Sequence, residues 1–204
     1  MRVEVCGGIA SGKTTLAAGL AEVRFTPYHE RFQDNPFFAK FYGNRDAYAF
    51  ETEITFLLQH YSLLREADGG AMAVADFSLA LDLAYADVTL EPADQDVFKS
   101  VLRRAIDKLG PPALIVRLDC DSGVELERIR ARARKVEDSI SFDYLDSIDT
   151  AIEAALASHW FAAVPVVRID SHAMDFRAGA AGRAAVLQQV ADELRVAGAS
   201  AASR

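Results

Sequence analysis

Gly7-Gly8-Ile9-Ala10-Ser11-Gly12-Lys13-Thr14, running on into Thr15-Leu16-Ala17-Ala18-Gly19-Leu20, is the stretch whose reading decides the fold. It spells G-x-x-x-x-G-K-[ST] directly after the apolar run Val3, Val5, Cys6 and directly before a helical pattern, the context that makes this spacing a phosphate-binding loop. Glycines let successive backbone N–H groups turn inward around a phosphate. Lys13 brings a point charge to the outer phosphates, and Thr14 offers a hydroxyl to Mg²⁺. A helix opening at Lys13 adds its positive dipole end. The phosphate site therefore falls on Gly7, Gly8, Ile9, Ala10, Ser11, Gly12, Lys13, Thr14 and Thr15. A plain Gly-rich turn would have no use for Lys13-Thr14.

Outward from this loop, short apolar runs alternate with amphipathic stretches, the pattern of a parallel sheet covered by helices on both faces. Strands are expected at Arg2 to Cys6, Val23 to Thr26, Ala71 to Ala75, Ala113 to Leu118 and Val164 to Ile169, bounded by turn signals such as Gly69-Gly70 and Pro111-Pro112. Helices are expected at Lys13 to Glu22, Arg45 to Ala67, Ala93 to Leu109, Gly123 to Arg134, Phe142 to Ala157 and Ala178 to Val196. The second is long, with Phe50, Ile54, Leu57, Leu58 and Tyr61 as its apolar stripe. The fold class is thus α/β, a five-stranded parallel sheet flanked by helices, organised as one domain over residues 1–196 with a flexible tail over 197–204.

Thirty acidic and twenty-two basic residues among 204 give a net charge of −8. That balance disfavours a nucleic-acid polymer or an anionic membrane as partner, because affinity for either comes from neutralising phosphates. A small anionic ligand in a local basic pocket remains allowed. Cys6 and Cys120 show neither disulfide nor metal spacing and read as small buried residues, which fits a reducing cytoplasm. No apolar run approaches the roughly 18 residues that span a bilayer, and the first strand begins almost at the N-terminus, so neither anchor nor export signal is expected.

Ligands of open parallel sheets gather at the carboxyl ends of the strands. The polar residues there are the phosphate loop, Glu30, Asp76, Asp119 with Asp121, and Asp170. Asp76 closes Ala-Met-Ala-Val-Ala-Asp and reads either as an acid that holds Mg²⁺ beside the loop or as a cap on the following segment. Arg128, Arg130, Arg132 and Arg134 recur at spacing two, which no single helix face explains. They read either as an arginine fork over phosphates or as a solvated helix partly paired by Glu125 and Glu127. Glu30 by composition alone is a surface acid. Glu53 and His60, seven apart, share a face of the long helix, where a carboxyl must find a partner or a ligand; Glu51 points elsewhere.

From the loop to about Phe176 the chain resembles the deoxynucleoside kinase family, in its bacterial deoxyadenosine/deoxyguanosine branch. The resembling stretches are the loop itself, Asn35-Pro36-Phe37-Phe38 leading to Phe41-Tyr42, Phe56-Leu57-Leu58-Gln59, Asp76-Phe77-Ser78, Glu127-Arg128-Ile129 followed by Arg132-Ala-Arg134-Lys-Val-Glu137, Asp143-Tyr144-Leu145, and Ile169-Asp170 with Asp175-Phe176. The loop alone is specific; the others count by order and spacing. The resemblance implies a P-loop nucleoside/nucleotide kinase fold with an Arg-rich lid over about 128–140, and transfer of the γ-phosphoryl of ATP to the 5′-hydroxyl of a deoxynucleoside. It implies Glu30 as the base, Lys13 with lid arginines Arg132 and Arg134 as catalytic cations, and Mg²⁺ on Thr14 and Asp76. It implies Tyr42 and Glu137 on the 3′-hydroxyl, Glu53, His60 and Asp82 facing the base, and Tyr85 stacking on it. A homodimer packed through helices is also implied.

Two positions depart from the family pattern. Phe77 stands where the family's acid-Arg-Ser motif has arginine, leaving Arg31 or a lid arginine to take over. Glu53 stands where the family usually has glutamine. An ionised carboxylate only accepts hydrogen bonds, so Glu53 favours guanine, adenine or cytosine over thymine unless burial neutralises it. Two other functions fit the loop. A nucleoside monophosphate kinase would need further cations near the acceptor, where only Lys40 and Arg45 stand between residues 35 and 45. A catalytically impaired ATP-binding regulatory protein would make Phe77 a mark of lost catalysis.

Overall fold

The computed structural model describes residues 1–67, 72–177 and 179–202, with 197–202 described by backbone alone. Its strands are β1 (Arg2–Cys6), β2 (Thr26–Tyr28), β3 (Ala73–Ala75), β4 (Leu114–Asp119) and β5 (Val166–Asp170). They form one sheet in the order β2-β3-β1-β4-β5, with every pairing parallel. The helices are α1 (Lys13–Ala21), α2 (Phe38–Gly43), α3 (Arg45–Glu66), α4 (Leu79–Thr89), α5 (Pro92–Leu109), α6 (Ser122–Arg132), α7 (Phe142–Ala157) and α8 (Arg183–Ala202).

The period of two along β1 sends its side chains to opposite faces. Val3 and Val5 join a core with Leu16 and Leu20 of α1 and Val186 and Val190 of α8. Cys6 faces the larger core built by α3, α4, α5 and α7. Glu4, fully buried on that second face, accepts from Arg2 Nε at 2.8 Å and from the Leu79 backbone N–H at 3.1 Å. A buried carboxylate needs such partners, and this one pins the start of α4 to the central strand. Ser78 caps the same helix end by accepting from Ala80 N.

Helix α4 went unread in the sequence for a physical reason. Its Leu-Ala-Leu-Asp-Leu-Ala-Tyr-Ala run is buried from Leu79 to Ala84, so it carries no polar stripe to mark a helical period. Short α2 was likewise unread. Strand β2 lies later than expected, at Thr26–Tyr28 instead of Val23 to Thr26, because Val23 and Arg24 form an exposed turn with Arg24 at φ 82°. Of the stripe expected on α3, Phe50, Ile54, Leu57 and Tyr61 pack on the larger core and Leu58 does not. Leu58 is half exposed, while Glu53, Leu57, His60 and Leu64 face inward. Helix α8 continues to Ala202, through most of the stretch expected as a tail, in keeping with the high helix propensity of alanine. Gly69, Gly70 and Ala71, expected as a turn and a strand start, and Ala178, Ser203 and Arg204 lie outside the described residues. Cys6 is buried and Cys120 half-buried, both as free thiols.

Candidate active site

The loop between β1 and α1 has the shape its glycines permit. Gly12 precedes α1 at φ 107°, a region L side chains rarely adopt, and a Cβ there would also meet the Phe176 ring at 3.0 Å. A Cβ on Gly8 would land on the carboxylate of Glu125, which α6 buries behind the loop. Burial, outweighing the opposing Lys13, pushes Glu125 up to about 8. Lys13 Nζ donates to the carbonyls of Gly7 (2.9 Å) and Gly8 (2.8 Å), holding the ammonium over the loop.

The arginine run divides by role. Arg128 donates from Nη1 to Ala10 O (3.2 Å) and from Nη2 to Ser171 O (2.7 Å), bracing the loop against the segment after β5. Arg130 is exposed. Helix α6 stops at Arg132 because Ala133 turns left-handed, with φ 50°. That break brings Arg132 and Arg134 to one acid, with Glu137 accepting from Arg132 Nε (2.7 Å) and Nη2 (2.6 Å) and from Arg134 Nη1 (3.5 Å). A spacing of two that no helix face explains is thus resolved by a helix end.

Across the cavity, Asp76 accepts from the Glu30 backbone N–H at 2.7 Å and pairs with His29 Nδ1 at 2.9 Å, fixing the chain that carries Glu30. His60 and Glu53, from α3, meet Asp82 from α4. His60 Nδ1 lies 2.8 Å from Asp82 Oδ1, and its Nε2 lies 3.5 Å from Glu30 Oε1. Burial alone would raise the Glu30 carboxyl, but His60, then Lys13 and Arg134, outweigh it and hold it below the usual range. Burial, then Asp82, pushes Glu53 up to about 8. The Thr89 hydroxyl has one proton for two acceptors, Tyr85 O at 2.8 Å and Glu53 Oε1 at 3.1 Å, an arrangement completed when Glu53 carries its own proton. Burial thus favours the protonated Glu53, the case in which it donates as well as accepts, as an amide does.

One cavity of about 570 Å³ collects these groups. Lys13, Thr14, Glu30, Asp76, Arg132 and Arg134 line it together with Tyr42, Glu53, His60, Asp82, Tyr85 and Glu137. Ile9, Ala10, Gly12 and Thr15 also reach it, whereas Gly7, Gly8 and Ser11 stand behind its wall. Three acids at strand ends do not reach it. Asp119 pairs with Arg168, Asp121 caps α6, and Asp170 accepts from the N–H groups of His172 and Ala173. Arg31 is exposed and outside the lining, so of the two stand-ins for an arginine at position 77 only Arg134 bears on Glu30. The sequence reading missed the loop brace of Arg128, the His29 contact to Asp76, and the aromatic wall of Phe38 and Phe56, whose rings meet edge to face at 5.9 Å. Phe56 had a signal: it lies off the stripe assigned to its helix.

The residues fit a magnesium nucleotide. Gly12, Lys13, Thr14 and Thr15 of the loop line the cavity, and a side chain at Gly8 or Gly12 would strike Glu125 or Phe176 and displace the loop backbone. Thr14 and Asp76 offer hard oxygen donors to the same cavity. Among the described residues no group of three His, Cys, Asp or Glu is placed to hold a metal. Two protein oxygens are what Mg²⁺ commonly takes when phosphates supply the rest. No described helix is long and apolar enough to cross a membrane.

A deoxyguanosine kinase of Bacillus subtilis is 29% identical over 182 residues, covering 85% of this chain and 88% of its own length. A deoxyadenosine kinase of Dictyostelium discoideum is 29% identical over 180 residues, covering 82% and 71%. The structure of a deoxyadenosine kinase from M. mycoides with bound dCTP superposes with a TM-score of 0.78 at 17% identity, covering 96% of this chain and 100% of that one, a likeness of fold. The family model "Deoxynucleoside kinase" matches residues 3–195, and the chain belongs to that family.

Proposed function

We propose that this chain transfers the γ-phosphoryl group of ATP to the 5′-hydroxyl of a deoxynucleoside, with a purine preferred. One observation carries the reading: Glu30 shares a cavity with the phosphate loop, and the same cavity is lined by Tyr42, Glu53, Asp82, Tyr85 and Glu137, with Arg132 and Arg134 engaged on Glu137. Lys40 lies over the Phe37 and Tyr48 rings and Arg45 over the Tyr144 ring at 3.9 Å, both outside the lining, which disfavours a monophosphate acceptor. The names of the relatives, a deoxyguanosine kinase and a deoxyadenosine kinase, support a purine.

In this reading Glu30 takes the 5′-hydroxyl proton, and Tyr42 with Glu137 holds the 3′-hydroxyl. Glu53 and Asp82 face the base edge, with Tyr85 beside the base. Lys13, the loop N–H groups, Arg132 and Arg134 spread the charge of a loosely bonded phosphoryl group. Mg²⁺ held by Thr14 and Asp76 supplies further neutralisation of that charge. Leu58 of α3 and Val97 of α5, about half exposed on helices that pack together, support a homodimer through this face. A cytoplasmic location agrees with the two free thiols. The test is kcat/KM for four deoxynucleosides, their ribonucleosides and the monophosphates with ATP and Mg²⁺. Turnover of a deoxynucleoside with no monophosphate turnover is expected. ATP binding with no turnover of any acceptor would favour the regulatory alternative.

A further inference from the structure

His60 is buried to 3% exposure, and its two ring nitrogens face two different carboxylates, Asp82 at Nδ1 (2.8 and 3.0 Å) and Glu30 at Nε2 (3.5 Å). A neutral imidazole has one N–H and would turn a lone pair toward the second carboxylate; only an imidazolium donates to both. Nε2 is buried without a completed hydrogen bond and Glu30 Oε1 is the carboxylate oxygen in its reach, so the ring is aimed at the proposed base.

The ring plane is fixed by its neighbours. Phe77 stacks on it at 4.1 Å and 11°, and Phe56 stacks at 5.8 Å and 29°. Aromatic faces favour a cation held against them. A guanidinium at position 77 would put a second cation where Phe77 now supports the first. Phe77 and His60 thus form a matched pair, an apolar plate beside a ring that carries the positive charge.

We propose that His60 acts as an imidazolium that positions Glu30, anchored by Asp82 and clamped by Phe77, and so supplies the cation that position 77 lacks. This rests on the reading of Glu30 as the base, and it gives His60 a task beyond facing the nucleobase. The charged and titratable groups around the ring are Asp82 from α4, Glu30 from the segment after β2 and Glu53 from α3, with Lys13 and Arg134 also acting on Glu30. Burial opposes charge on His60, but Asp82 and Glu30 outweigh it and raise its pKa above the ordinary histidine value.

The experiment is ¹⁵N NMR of the His60 ring in the nucleoside-free protein, beside the kinetics of His60→Gln. Both ring nitrogens are expected to be protonated at pH 7.5, and Glu30→Gln is expected to lower the titration midpoint of the ring. His60→Gln should lower kcat about tenfold or more while the nucleoside KM stays within about threefold, the signature of an interaction that matters in the transition state. A neutral ring at pH 7.5, a midpoint indifferent to Glu30→Gln, or a change confined to KM would each overturn the proposal. The NMR arm uses the unaltered protein and so stands if His60→Gln fails to fold. It also reports on the His60–Glu30 pair if no nucleoside is turned over, in which case the kinase reading fails separately.

Discussion

Arg132 grips Glu137 through two hydrogen bonds, 2.7 Å from Nε and 2.6 Å from Nη2, although the arginine is proposed for the phosphates and the acid for the sugar. Acceptor and donor ends of the cavity are therefore joined by one charge-assisted fork. Glu137→Gln is expected to lower kcat/KM for the deoxynucleoside by roughly 10- to 100-fold, the scale of a hydrogen bond to a charged group. The same variant should lose little on a 3′-deoxy analogue, which lacks the hydroxyl. Steady-state kinetics on the two acceptors check this; equal losses on both would remove Glu137 from the 3′-hydroxyl.

Glu30→Gln is expected to lower kcat by at least about 100-fold while the protein still folds, with only the modest loss of thermal stability that follows from taking one carboxylate from buried His60. Glutamine keeps the shape of the side chain, and the Glu30 backbone N–H still reaches Asp76. Single-turnover kinetics beside a melting curve measure both halves. A near-normal kcat would exclude Glu30 as the base.

Lys13→Ala is expected to abolish transfer while leaving nucleoside affinity largely intact. The ammonium touches the loop carbonyls of Gly7 and Gly8, at the loop end of the cavity. Titration calorimetry with ATP and with nucleoside separately distinguishes loss of the donor site from general unfolding.

Glu53→Gln carries a pH dependence with a definite sign. The folded protein holds the Glu53 proton to about pH 8, against 4.5 for the ordinary carboxyl. Between those values the native state binds more protons than the unfolded one, so this group makes wild-type stability fall as pH rises, with a slope of at most about 1.4 kcal/mol per unit. The stability gained by Glu53→Gln should grow from pH 5 to pH 8 and then level off, as urea unfolding would record. Above pH 8 wild-type Glu53 only accepts, so preference should move toward guanine, whose edge presents two donors, and the variant should not follow. Parallel pH profiles of wild type and variant would dismiss Glu53 as a base reader.

Gly8→Ala is expected to destabilise the protein by about 1–3 kcal/mol, the usual cost of overpacking, and to weaken ATP binding. The new methyl would press on the Glu125 carboxylate. Glu125→Ala in the same chain should recover part of the loss, and a double-mutant cycle by thermal unfolding measures that coupling.

Much of the site was legible as chemistry before it was visible as geometry. Glu53 and His60 share a helix face because seven residues make nearly two turns, and both line the cavity. Asp119, Asp121 and Asp170 looked equally eligible at strand ends. Which acids face the cavity depends on partners such as Arg168 and the α6 N–H groups, and no local pattern encodes those. Helix α4, buried on all sides, offered no period to read, yet it carries Asp82 and Tyr85.

The sequence by itself determined the phosphate loop and the alternation of strands and helices, because a G-x-x-x-x-G-K-T spacing and a hydrophobic period are properties of neighbouring residues. Only the tertiary structure decided that His60, seventeen residues earlier, stacks on Phe77 and faces Glu30 and Asp82 at once. It likewise buries Glu53 beside Asp82, which pushes its carboxyl up to about 8. Charge state and partnership depend on what the fold buries together, and a chain read in order does not contain those distances.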